Sequence, residues 1–209
     1  TLHMMRWQRA PDFTSVPPPM YLRRASGNYQ SDYDETSKTL YIAYNRCAEA
    51  DDLPMERFAH MVLGFWDRLK PERLLIDLRH NGGGNERVLG PLIDAIDGHP
   101  EIDQPGRLFV ATGPRTFSSA VNNAVTLNQT TEAVMVGEPS GGSPNHFGEV
   151  KQFELPSGLR VFYSTKYFDR VEGDPAALLP ELDAPRSSEH WFAGRDPVLE
   201  AVTSYTPPE

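Results

Sequence analysis

The feature that most constrains the fold is a set of short, nearly continuous apolar runs separated by segments with helical periodicity. Arg73–Leu78 (RLLIDL), Arg107–Thr112 (RLFVAT) and Ala133–Val136 (AVMV) are the clearest. Runs this short, without polar alternation, are expected of strands covered on both faces, as in parallel sheets. Lys38–Tyr44 (KTLYIAY) adds a strand that alternates and is rich in aromatic and β-branched residues. Pro54 opens a helix running to about Leu69, with Phe58, Val62, Phe65 and Leu69 as a single buried stripe. A second helix follows Gly82–Gly84; Asn85 can cap it, and Pro91 weakens it or sets its true start. A third covers Ala120 to about Leu127, capped by Ser118 or Thr116. Asp196-Pro197 opens a last one through about Val202. Glu149–Leu155 and Leu159–Phe168 flank Pro156-Ser157-Gly158, a hairpin signal.

This order predicts an α/β layered fold with a mostly parallel central sheet and a C-terminal β-hairpin. With 209 residues, one domain over 21–209 is expected. Residues 1–20 carry Pro11, Pro17, Pro18 and Pro19 and read as an extended arm. Residues 170–190 read as loop. Thr1–Met4 precede a second candidate start, Met5, and the chain is expected to be part of a longer protein with an N-terminal domain.

The formal net charge of −9 argues against nucleic acid as a partner, because phosphate is repelled by that field. No apolar run approaches the roughly 20 residues of a membrane span. The N-terminal residues show no basic-then-apolar signal pattern. A lone cysteine, Cys47, rules out an intrachain disulfide and a thiolate metal cage, and no histidine pair has metal-ligand spacing. No metal and no cofactor are expected. Oligomeric state and compartment stay open.

Ligands of open α/β sheets bind outside the carboxyl ends of the strands. Two such ends carry unusual residues. Asn81-Gly82-Gly83-Gly84 follows Leu78 and precedes a helix; its uncovered N–H groups suit an anion or a developing oxyanion. It has neither the lysine of a P-loop nor GxGxxG spacing, and taken alone it is equally a tight turn. Thr116-Phe117-Ser118-Ser119-Ala120 follows Thr112 and opens a helix; a serine there exposes Oγ near a helix N-terminus, although by itself it reads as an N-cap.

Together, Leu75–Gly84 (LIDLRHNGGG), Phe117–Ala120 (FSSA) and Val136–Gly142 (VGEPSGG), with the closing Leu179–Leu182 and Gly194–Leu199, resemble the tail-specific (C-terminal processing) serine proteases, peptidase family S41. The resemblance covers about residues 38–202. It implies a ClpP/crotonase-like layered fold, a peptide or protein substrate, and acyl transfer through Ser119. Ser119-Ala120-Val121-Asn122 matches the family's Ser-Ala-x-acid pattern except at Asn122. The resemblance assigns the oxyanion N–H groups to Ala120 and Gly83, with Gly82 and Gly84 as runners-up. It makes Gly82, Gly84, Gly141 and Gly142 substrate-binding positions. Asp77 and Arg79 match positions expected to tie down backbone and to pair with an acid.

The chain departs from the family's Ser-Lys dyad: the loop Gly137–Gly148 has no lysine, and Lys151 and Lys166 lie in strand-like segments. The tricorn-type Ser/His/acid arrangement fits better. Its histidine comes from ahead of the domain, so the base is expected outside this chain. Asp174, with Glu172 close by, stands nearest the position of the supporting acid. His146 and His80 are resident imidazoles that titrate near neutrality. Two other readings stay open. One is a non-catalytic member of the fold that binds peptide or an apolar ligand. The other is a crotonase-like acyl-CoA enzyme, although no basic site for the CoA phosphates is evident.

Overall fold

A strand buried on both faces has to satisfy its backbone on both edges. In the computed structural model, which describes residues 18–23 and 27–208, the apolar runs do so as the interior of a six-stranded sheet. The strands are β1 (Tyr29–Asp34), β2 (Thr39–Tyr44), β3 (Arg73–Asp77), β4 (Leu108–Thr112), β5 (Val134–Gly137) and β8 (Leu182–Asp183), in spatial order β1-β2-β3-β4-β5-β8. The β1–β2 pair is antiparallel and the other neighbours are parallel, with Asp77 opposite Ala111 and Thr112 opposite Gly137. Between them run α1 (Met55–Leu69), α2 (Gly90–Asp97) and α3 (Ser119–Thr130). Successive right-handed crossovers that advance in one direction place their helices on the same face. All three helices pack there, against Leu40, Ile42, Leu74, Ile76, Val110 and Met135. The opposite face, with Tyr41, Leu75, Phe109 and Val136, is covered by Val198 and Val202 of α5 (Pro197–Ser204). The hairpin β6 (His146–Glu154) and β7 (Arg160–Phe168) forms a separate two-stranded sheet.

The mostly parallel α/β layer fold is therefore as the sequence predicts, and the differences are local. The stripe of α1 is Met55, Phe58, Ala59, Val62 and Trp66, which follows the 3.6-residue period; Phe65 and Leu69 lie half-buried on its flank. Asn85 caps a 3-10 turn, Glu86–Leu89, and α2 begins only at Gly90 with Pro91 in its first turn. Within 170–190, read as loop, lie β8 and the start of α4 (Ser188–Ala193). Of the arm assigned to 1–20, residues 1–17 lie outside the described residues. Met20 opens a short 3-10 turn and is buried against the α5 face.

One buried ion network joins the sheet to α5. Arg79, 1% exposed, is held by Asp77 (Nη2–Oδ2 2.6 Å) and Asp196 (Nη1–Oδ1 2.8 Å, Nη2–Oδ2 2.9 Å). Tyr41 donates to Asp77 Oδ2 at 2.5 Å, and the Tyr21 ring lies 4.8 Å beneath the guanidinium. Asp196 also accepts the Val198 N–H at 3.1 Å, so it caps α5 with the same carboxylate. Burial alone pushes the Asp77 carboxyl up, but the Arg79 charge and hydrogen bonds outweigh it and hold Asp77 below its ordinary range.

Removing Arg79 leaves two buried carboxylates unpaired. Arg79→Ala is expected to cost about 3–5 kcal/mol in urea unfolding. A depressed folded-state pKa means the ionised form favours the fold. The Asp77 contribution is thus complete above the unfolded value of about 3.9 and is lost as pH falls through the folded value. Thermal melts should hold level through neutral pH and fall once the pH drops below about 4.

Candidate active site

The site begins where the chain leaves β3. Asn81, fully buried, donates from Nδ2 to the Tyr44 carbonyl at 2.9 Å and accepts the Gly83 N–H at Oδ1 at 2.9 Å. The run is then stitched to Cys47: Cys47 N–H donates to Gly83 O (3.1 Å), and Asn85 N–H donates to Cys47 O (2.7 Å). Gly83 and Gly84 take φ of +105° and +138°. A Cβ on Gly84 would lie 2.2 Å from Cys47 O, and one on Gly83 would lie 2.9 Å from Ser118 Cβ. Both conformation and space therefore demand glycine there.

The serine turn is built against this run. Thr116 Oγ1 accepts the Gly113 N–H (3.0 Å) and donates to Leu78 O (2.8 Å), while Phe117 N–H donates to Asn81 O (3.0 Å). Thr116 thus braces the turn, and Ser118 holds the N-cap position without a side-chain cap bond. Ser118 sits at φ +53°, ψ −127°, a backbone state costly for a residue with a Cβ. That kink delivers Ser119 as the first residue of α3, at the carboxyl end of β4. Ser119 Oγ donates to Gly84 O at 2.7 Å.

Ser119 opens on a cavity of about 500 Å³ whose other walls are Gly84, Glu86, Val150, Lys166 and Phe168. The structure thereby brings the glycine run, the serine and the root of the hairpin together. Lys166 Nζ lies 4.4 Å from the centre of the Phe168 ring and 3.9 Å from Glu149 Oε1. Asn122, one turn along α3, donates to Glu86 Oε2 at 2.6 Å, and Arg170 reaches the same oxygen at 2.6 Å. Asn122 thus has a carboxylate, that of Glu86, as its partner. Asn81, Glu86 and Arg170 were not singled out from sequence as site residues. Only Asn81, abutting the glycines, carried a local signal.

The remaining candidates are placed as follows. Ala120 N–H donates to Phe117 O at 3.1 Å, and Gly83 N–H is taken by Asn81, so both assigned oxyanion donors have partners within the chain. Gly82 has open space at its Cβ position. Gly141 and Gly142 back the serine turn: added Cβ atoms would lie 2.1 Å from Pro114 O and 2.8 Å from the Phe117 ring. His146 Nδ1 lies 2.9 Å from Ser143 O and its ring stacks on Phe168 (5.2 Å between centres); Nε2 is buried without a partner among the described residues. Asp174 and Glu172 are exposed, and no hydrogen bond among the described residues joins Asp174 to His146 or Ser119. His80 is braced on Tyr21 O (3.2 Å), and burial lowers its pKa. Burial also pushes the Cys47 thiol up to about 11, so this thiol is not a nucleophile at neutral pH. Among the described residues no group of three or more potential metal ligands occurs, and no helix is long and apolar enough to cross a membrane.

Solved structures with the same overall architecture define the class of the fold: a layered α/β fold of the S41-peptidase type. A Parabacteroides merdae protein classed as a candidate peptidase superposes with a TM-score of 0.65 at 18% identity, over 85% of this chain and 64% of that one. The photosystem II D1 C-terminal processing protease gives 0.53 at 15%, over 81% and 48%. A candidate S41 protease of Bacteroides fragilis gives 0.53 at 12%, over 84% and 56%. The chain therefore spans less than two thirds of each of these neighbours. No protein-family model matches the sequence, and no curated protein is significantly similar to it.

The contacts at the two ends of the glycine run separate them. Gly84→Ala should lower stability by more than about 1 kcal/mol in urea unfolding, from backbone strain and the clash with Cys47 O. Gly82→Ala, with open space, should stay within about 0.5 kcal/mol of the parent.

Proposed function

We propose that this chain is a serine-peptidase-type catalytic domain that cleaves peptide bonds by acyl transfer through Ser119. The observation that carries the reading is the placement of Ser119 Oγ. It stands at the first residue of α3, after a strained Ser118, against the glycine run and facing a cavity large enough for a peptide segment. Ser119 Oγ gives its proton to a general base as it attacks the scissile carbonyl, and the tetrahedral oxygen is held by N–H groups at the start of α3 and in the glycine run, Ala120 and Gly83; the C–N bond then breaks, the amine leaves with that proton, and water hydrolyses the acyl-serine ester. Both N–H groups, and Oγ itself, are hydrogen-bonded within the chain in this conformation. Turnover therefore requires the glycine run to release Oγ and to present an N–H toward the substrate oxygen. Gly82, Gly84, Gly141 and Gly142 are assigned to substrate binding on this reading, and Gly84 is the one of them that lines the Ser119 cavity.

On this reading the site is of the tricorn-type Ser/His/acid kind, with the histidine supplied from outside this chain. Asp174 is the acid candidate, placed on an exposed segment. Of the resident bases, Lys166 shares the cavity with Ser119, whereas His146 is anchored to Ser143 O. A second reading, a non-catalytic module that binds peptide or an apolar ligand, draws support from the occupied oxyanion donors and from the hydrogen bond between Ser119 Oγ and a carbonyl.

A fluorophosphonate probe decides between them. The expected outcome is an adduct mapped to Ser119 and absent in Ser119→Ala, with weak or undetectable peptide turnover by residues 1–209 alone. Labelling that survives Ser119→Ala would refute the nucleophile assignment. Peptide binding by calorimetry with no labelling, even when the histidine-bearing segment is supplied, would establish the second reading.

A further inference from the structure

Among the described residues the β6–β7 hairpin joins no larger sheet, and its strands pair with each other. Residues opposite one another share a face, and the register sets Phe147 against Tyr167, Lys151 against Tyr163, and Phe153 against Val161. Along β7, Val161, Tyr163 and Tyr167 are spaced by even numbers of residues, so all of these side chains lie on one face. The Phe147 and Tyr167 rings are 4.8 Å apart, and the Phe153 and Tyr163 rings 6.0 Å. This ordered aromatic face is bare: Phe147 is 71% exposed, Phe153 50%, Tyr167 47% and Tyr163 46%. A lone two-stranded hairpin is marginal in water and needs packing on one face, and an apolar patch of this kind marks an interaction site.

We infer that this face packs against the same face of a second copy of the chain. Charge does not oppose that occupant. The chain as a whole is at −9, yet His146–Phe168 carries three basic residues and two acidic ones; Lys151 lies on the aromatic face, and Arg160, Lys166 and Glu154 on the other. The hairpin is therefore a part of the surface over which two acidic copies approach with little repulsion. The pattern is also self-complementary. One aromatic pair lies near the root (Phe147, Tyr167) and one nearer the turn (Phe153, Tyr163), with Lys151 and Thr165 between them. A two-fold axis running across the strands sets the root pair of one copy over the outer pair of the other, an isologous contact. At ~150–250 Å² per aromatic side chain, the four rings leave on the order of 400 Å² bare, and Leu155 and Leu159 at the turn extend it. Two copies together then bury on the order of 1,000 Å², the lower limit for a specific interface, so the dimer is a weak one. The inference is independent of the chemistry at Ser119.

Sedimentation velocity on the 209-residue chain is the direct test. A dimer at tens of micromolar that dissociates on dilution is expected, with the dimer Kd raised by about 30-fold or more in the double variant Phe153→Ser/Tyr163→Ser. Gln152→Lys, on the opposite face, should leave the Kd unchanged. Cross-linking guards against a hairpin that merely unfolds in the double variant. Thr165→Cys, near the proposed axis, should give a disulfide-linked dimer on mild oxidation, Gln152→Cys should not, and the buried Cys47 should contribute nothing. A chain that stays monomeric at tens of micromolar overturns the inference, as does a dimer indifferent to the double variant or equal cross-linking from both cysteine positions.

Discussion

The guanidinium of Arg79, buried between the carboxylates of Asp77 and Asp196, is the constraint on which the placement of β3 against α5 depends. Asp77 closes β3, and Asp196 opens α5, 119 positions further along by residue number. A buried cation with one partner would be a net cost; here the guanidinium is held between two carboxylates, with a tyrosine hydroxyl on Asp77 and a ring beneath it, and each of its three nitrogens donates to a carboxylate. The consequence is positional. Arg79 cannot shift without unpairing α5, so the chain leaves β3 in one fixed direction and the glycine run starts from a fixed point.

From that point the site is assembled by backbone groups more than by side chains. Asn81 uses its amide to hold Tyr44 O and Gly83 N–H, and Thr116 uses its hydroxyl to hold Leu78 O and Gly113 N–H. These two residues clamp the turn after β3 to the turn after β4. The clamp leaves so little room between Cys47 and Ser118 that no Cβ fits at Gly83 or Gly84. The strain at Ser118 is retained because the surrounding bonds over-determine its conformation. Placement of Ser119 is thus a product of the sheet register, carried through Asn81 and Thr116.

This division explains what was legible in the sequence. β3, β4 and β5 were readable because a strand buried on both faces is apolar throughout, and α1 because it has one strong stripe. β1 was not, because YQSDYD is an edge strand whose side chains are half-exposed and polar, which leaves no apolar run to detect. β8, with two residues, is defined only by its partner β5. At the site, the serine turn and the glycines were legible as local backbone signals. The Glu86–Asn122–Arg170 cluster was not, because Arg170 and Glu86 meet across 84 positions and only the folded hairpin root brings them together. Lys166 reads in sequence as a strand residue, which it is; that its strand borders the Ser119 cavity is a tertiary fact.

If Ser119 is the nucleophile proposed above, its hydrogen bond to Gly84 O defines what activation has to accomplish. A hydroxyl has one proton to donate, and here the acceptor is a backbone carbonyl, which is no base. A general base can take that proton only after Oγ turns away from Gly84, and a carbonyl at this position repels an oxyanion rather than holding it. The peptide that carries this carbonyl is itself tied down, because Asn85 N–H donates to Cys47 O at 2.7 Å. Its neighbour is held as well: Gly83 N–H and O are both bonded, to Asn81 and Cys47. On the proposed peptidase reading, rotating this peptide to release the serine also breaks the Asn85–Cys47 bond, and whatever supplies the base has to favour that rotated state over the one seen here.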